Sequence, residues 1–214
     1  MMETGNRYGK VLEWFTRNMP EPRSELDFQN PFQLLVAVML SAQCTDKRVN
    51  AVTPALFEAF PDAKSMASAS EDAILHFIKS VSYPNSKAAH LKQMAGMLQE
   101  RFAGEVPASM ADLQSLPGVG RKTANVVMAV AFHEPAMPVD THVFRVSHRL
   151  GLVSDKDNTP EKTEKTLVAN IPRAMLADAH HYLLLHGRYV CTARNPKCGE
   201  CGLSHLCSFH GSGK

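Results

Sequence analysis

Four of the chain's five cysteines fall in its last 24 residues, as Cys191-x6-Cys198-x2-Cys201-x5-Cys207. No other feature constrains the fold as much, because four thiolates within 17 residues can close around one metal centre. The segment from Cys191 onward then reads as a separate, small, loop-rich unit. Its spacing leaves the metal open. Structural zinc sites pair their cysteines two to four residues apart, and only one pair here is that close. Both zinc and a four-iron cluster are compatible with the ligands. Arg194 and Lys197 lie in the first loop of this tail, where two cations can face a phosphate backbone. An ordinary solvated loop is the plain alternative. The fifth cysteine, Cys44, stands alone and reads as a small buried residue.

The remainder reads as helix. Asn30-Pro31 is an N-cap followed by proline at the first helical position, and the nearly all-apolar run from Phe32 to Ala42 suits a helix buried on every side. Ser109 and Asp112 have capping-box spacing. Thr123 to Phe132 is a second apolar helix. Asp140 caps Thr141 to Leu150, which closes at Gly151, and Thr159-Pro160-Glu161 opens another helix. Two-residue alternation with hairpin turns is missing, so the fold class is all-α. A boundary is expected near His133 to Pro138, where two prolines interrupt the pattern.

Composition excludes some classes. With 214 residues and 44% hydrophobic, the chain can bury a core. No stretch approaches the roughly 18 apolar residues of a membrane span, so no membrane association is expected. Met1 to Arg7 is polar with no apolar run after it, which argues against a secretory signal. An intracellular, reducing compartment follows, where clustered cysteines are ligands in preference to disulfides. The net charge of +2 neither demands nor excludes a nucleic-acid partner.

Leu116-Pro117-Gly118-Val119-Gly120-Arg121-Lys122-Thr123-Ala124 joins two helical patterns. Gly118 and Gly120 let the backbone turn sharply and approach another molecule, and they expose N–H groups at a helix start, a natural phosphate site. A tight helix connection without a ligand is equally compatible with the spacing alone. Arg121 and Lys122 tip the balance. They occupy the first turn of a helix, where the dipole disfavours cations unless a polyanion docks or the lysine must shed its proton. A nucleophilic lysine must be neutral, and Arg121 together with the helix end favours that. A neutral amine can attack a sugar C1′ and form a Schiff base. Asp140, in Val139-Asp140-Thr141-His142, can take the amine's proton or steady positive charge growing on the sugar. By themselves the two residues would pass for a phosphate contact and a helix cap.

Taken together, the Leu116–Asn125 hairpin, Val139-Asp140-Thr141-His142, the cysteine tail and Ser41-Ala42-Gln43 at the end of the buried helix resemble the endonuclease III family of helix-hairpin-helix DNA glycosylases. The resemblance runs from about Leu26 to Cys207. It implies a bilobal all-α fold with DNA in the cleft between lobes. One lobe spans residues 25–135; the other joins 1–24 to 136–214 and ends in a [4Fe–4S] cluster held by the four cysteines. It implies base-excision repair, in which oxidised pyrimidines are removed from duplex DNA and the strand is cut at the abasic site by β-elimination. Lys122 matches the Schiff-base lysine, Asp140 the catalytic aspartate, and Gln43 the residue that fills the gap left by the extruded base. Extrusion is needed because the glycosidic carbon is unreachable inside the stack. The partner is double-stranded DNA containing damaged bases or abasic sites, and the protein is expected to be a cytoplasmic, nucleoid-associated bacterial monomer.

One loop departs from the family pattern. Val81-Ser82-Tyr83-Pro84-Asn85-Ser86-Lys87-Ala88 has Ser82 where many relatives carry glycine, and Pro84 where they carry tyrosine. Tyr83 takes the apolar position and is expected to be a second wedge against the opposite strand. A monofunctional mismatch glycosylase and a non-catalytic helix-hairpin-helix module are the competing readings. Lys122 argues against adenine-specific relatives, which generally lack that lysine and carry an extra C-terminal domain.

Overall fold

The computed structural model describes residues 4–211, with side chains from residue 7. The first residues of the polar stretch Met1 to Arg7 lie outside that range. Every regular element among the described residues is helical. The α-helices are α1 (Thr4–Asn18), α2 (Pro31–Ser41), α3 (Asp46–Ala59), α4 (Ala63–Ser68), α5 (Glu71–Ile78), α6 (Pro84–Phe102), α7 (Met110–Ser115), α8 (Arg121–Ala131), α9 (Thr141–Arg149), α10 (Pro160–Asn170), α11 (Leu176–Tyr189) and α12 (Ser208–Gly211). None is long and apolar enough to cross a membrane. The fold is all-α, as its periodicity predicts. The chain divides into two compact units, Ser24–His133 and a discontinuous one made of Met1–Arg23 with Glu134–Lys214.

In the continuous unit, α2 is the central element. Asn30 Oδ1 accepts from Gln33 N–H and starts it, and every residue from Phe32 to Leu40 is buried. A helix with no polar face must be surrounded, and α3, α6 and α8 all pack on α2, while α4 and α5 lie on α6. Ser109 caps α7 by accepting from Asp112 N–H. A reciprocal capping box forms at Asp62–Ser65, which the linear reading did not single out.

The discontinuous unit brings α1 onto the later helices. Tyr8 donates its hydroxyl hydrogen to Leu152 O at 2.6 Å, and the Phe15 ring stacks on Tyr182 with centroids 5.1 Å apart. Helix α9 packs along α11. It ends at Arg149, with Gly151 in the left-handed conformation (φ 69°) expected of a residue just past a helix.

Candidate active site and cluster loop

The hairpin is built by two glycines with different jobs. Leu116 and Val119 are buried, and Val119 N–H donates to Leu116 O, closing a tight turn after α7. Gly118 lies at φ 77°, and a Cβ there would come within 2.9 Å of His90 Cβ and Met39 Cε. Both backbone and packing demand glycine. Gly120 is different. Its φ is −86° and a Cβ there would meet nothing within 4 Å, so the fold itself does not require a glycine. What its missing side chain leaves open is approach from outside. Gly120 is the N-cap of α8, and Ala124 N–H donates to its carbonyl, so α8 starts two residues earlier than Thr123. Arg121 and Lys122 are exposed on its first turn.

This contrast gives a paired prediction. Gly118→Ala forces an alanine into a left-handed, crowded position and is expected to cost about 2 kcal/mol or more in urea unfolding. Gly120→Ala should change stability by less than about 1 kcal/mol. Its affinity for duplex DNA should nevertheless drop, as read by fluorescence anisotropy. Undiminished DNA affinity in Gly120→Ala would contradict close backbone approach at this turn.

Asp140 belongs to the other unit. It is half-buried at the start of α9, and one oxygen, Oδ1, accepts from both His142 N–H (2.9 Å) and Val143 N–H (2.8 Å). The approach to it is fixed by buried Pro138 and Val139 and by His180, whose Nδ1 lies 2.8 Å from Pro138 O. A histidine forty residues downstream carries no linear signal for that role.

The bends at Gln43 and Tyr83 adjoin in the continuous unit, joined through Ser82. Gln43 follows the end of α2 with φ 54°, and Tyr83 precedes α6 with φ 53°. Both are exposed, Tyr83 to 65%. Ser82 donates its hydroxyl hydrogen to Gln43 O at 2.5 Å. Below them, buried Lys87 donates from Nζ to Leu40 O and Ala42 O, both at 2.7 Å. It thereby neutralises the carbonyl end of α2. Burial pulls the Lys87 pKa below the usual lysine value, with nearby Cys44 acting the other way. The Asn-Ser-Lys-Ala string marked this loop, but not the lysine's inward course.

The four cysteines of the tail line one pocket, whose walls also include Leu150, Val190, Pro196 and Phe209. No three His, Cys, Asp or Glu side chains among the described residues converge closely enough to hold a single ion. The four thiols border one space, a donor set of the kind that metal centres use. Burial raises the Cys201 pKa, and the thiols of Cys191, Cys207 and Cys198 raise it further. Four thiolates so placed need cations among them. His186 sits with Nε2 3.6 Å from Cys201 Sγ, and burial lowers its pKa to about 4, so it is a neutral imidazole.

Two arginines of α9 hold the first loop of the tail. Arg145 donates to Cys191 O and Gly187 O. Arg149 donates to Thr192 O and Ala193 O, lies 3.5 Å from Cys191 Sγ, and stacks on Phe209 with its guanidinium 4.5 Å from the ring centre. Between these anchors Arg194 and Lys197 are exposed. The helix that Asp140 caps is thus also the brace of the cysteine loop. Sequence reasoning missed both arginines, because the carbonyls they hold lie more than forty residues away.

Comparison with known proteins agrees with this arrangement. Residues 36–173 match the HhH-GPD superfamily of base excision DNA repair proteins, and residues 191–207 match the iron-sulfur binding domain of endonuclease III. The chain is 45% identical over 203 residues to endonuclease III of Rickettsia felis, covering 95% of this chain and 94% of that one. It is 43% identical to endonuclease III of Escherichia coli, covering 94% and 95%. A solved endonuclease III trapped as a covalent intermediate with DNA superposes with a TM-score of 0.93 at 41% identity, covering 99% of both chains. A thermostable thymine-DNA glycosylase shares the fold, with a TM-score of 0.86 at 24% identity. The chain belongs to the endonuclease III family of helix-hairpin-helix base-excision-repair proteins.

Proposed function

We propose that this DNA glycosylase and AP lyase removes oxidised pyrimidines from duplex DNA, with Lys122 as nucleophile and Asp140 as its partner. The observation that carries the reading is an exposed lysine on the first turn of α8, directly after a glycine turn open to outside approach. Backbone N–H groups at Gly118 and Gly120, with Arg121, would take the phosphates beside the lesion. Lys122 Nζ attacks C1′ of the flipped nucleotide, the glycosidic bond breaks, and the base leaves with the bonding pair. Asp140 receives a proton from the amine and stabilises the cationic sugar. Opening of the ring produces the Schiff base. Loss of a C2′ proton then expels the 3′ phosphate, and water releases the lysine. Gln43 and Tyr83 contact the bases left behind.

The family's cofactor is a [4Fe–4S] cluster, which supplies four structural cross-links. We assign its ligands to Cys191, Cys198, Cys201 and Cys207. Their role is to order the loop from which Arg194 and Lys197 contact the DNA backbone. Protein purified without oxygen should be brown and carry about four irons per chain. One zinc in a colourless protein would refute the cluster. The protein is expected to act as a cytoplasmic bacterial monomer.

The lesion class is tested with a panel of duplexes bearing oxidised pyrimidines, oxidised purines or a thymine mismatch. Release of oxidised pyrimidines well above the others, with strand cleavage, supports the reading. Preferential release of mismatched thymine, or base release without strand cleavage, would move it to a monofunctional mismatch enzyme.

A further inference from the structure

Four exposed, non-glycine residues of the continuous unit hold left-handed backbones, Gln43, Tyr83, Ala103 and His133, and of these a hydrogen bond joins the Gln43 and Tyr83 bends. Such conformations cost energy and persist only where the surroundings enforce them. On the Gln43 side, Lys87 fixes the carbonyls of Leu40 and Ala42, the residues leading into the bend. On the Tyr83 side, Pro84 opens α6 immediately after the bend. Lys87, whose N–H donates to Tyr83 O, ties the base of both bends together, and the Ser82 hydroxyl adds a bond to the carbonyl of Gln43 itself. A glycine at position 82 would have no hydroxyl to offer there. Tyr83 meanwhile presents its ring outward, 65% exposed.

We propose that Ser82 is a positioning residue that couples Gln43 and Tyr83 into one preset reader of the base opposite the lesion. The inference rests on the reading of Gln43 and Tyr83 as base-contacting residues and adds the coupling between them. Without the hydroxyl, the Gln43 carbonyl loses its tie to the Tyr83 loop and must be reset when DNA binds. Preorganisation lowers the ordering cost of binding, and where only a flipped-out site uses the preset geometry that gain becomes discrimination between partners.

The test uses the full-length protein with its cluster intact, as parent, Ser82→Ala, Ser82→Thr and Gln43→Ala. Each is assayed for kcat/KM on an oxidised thymine placed opposite each of the four bases. Binding is followed in parallel with 2-aminopurine opposite a non-cleavable abasic analogue. Losing one neutral hydrogen bond should narrow the opposite-base spread by about three- to tenfold in Ser82→Ala. It should also weaken the 2-aminopurine response, while affinity for undamaged duplex stays unchanged. Ser82→Thr keeps the hydroxyl and should restore both signals. A parental spread in Ser82→Ala overturns the coupling, as does failure of Ser82→Thr to restore it. If Gln43→Ala alters the spread while Ser82→Ala does not, only the coupling falls. If Gln43→Ala is silent as well, the base-contacting reading falls with it.

Discussion

Lys122→Ala is expected to abolish covalent trapping on oxidised-thymine duplex treated with borohydride, and to cut strand cleavage to below about one per cent of the parent rate. Alanine is a good helix former, and Lys122 is exposed on the first turn of α8, so the fold should be unaffected. Duplex binding should weaken only by the loss of one cation, read as a slightly shallower salt dependence. That combination separates a nucleophile from a phosphate contact. A trapped adduct of undiminished yield in Lys122→Ala would assign the chemistry to another amine.

The second large effect is expected at Asp140, where two substitutions divide two roles. Asp140 Oδ1 alone accepts the two N–H groups that start α9. Asn is as good an N-cap as Asp. Asp140→Asn should therefore unfold at the parental urea midpoint yet lose about 10²- to 10⁴-fold in base release. Asp140→Ala should show the same loss and in addition about 1 kcal/mol of destabilisation from the missing cap. Single-turnover base release and equilibrium unfolding read the two terms independently. If Asp140→Asn retained parental turnover, the residue would be a cap and nothing more.

Much of this architecture is legible in the chain because its signals are local. The caps at Asn30 and Asp140, the left-handed Gly151 and the glycine turn before α8 each follow from a few neighbouring residues. The cysteine spacing is equally compact. What escaped linear reading is long-range. Lys87 looks like a surface cation after a turn, but it runs inward to the carbonyls of α2, over forty residues earlier. Arg145 and Arg149 look like the solvated stripe of an amphipathic helix, yet both are committed to the cysteine loop. Polar side chains reaching distant backbone carbonyls leave no periodic trace, since any long cation at that register would look the same. The start of α8 at Arg121, two residues before the apolar run that begins at Thr123, is again a local matter. Glycine is a poor residue inside a helix and a serviceable one at its N-cap.

The discontinuous unit also has a consequence for synthesis. Its first helix is made long before the partner that satisfies the Tyr8 hydroxyl, Leu152, which lies 144 residues further on. At ordinary translation speeds that is a wait on the order of ten seconds, during which the continuous unit can finish folding ahead of it. Throughout that interval Tyr8, Val11, Leu12 and Phe15 have no core to enter. A stalled or truncated message would leave that apolar stripe bare beside a folded neighbour, a ready substrate for chaperones and proteases. Until Leu152 and the helices that follow it have been made, this unit's core cannot close.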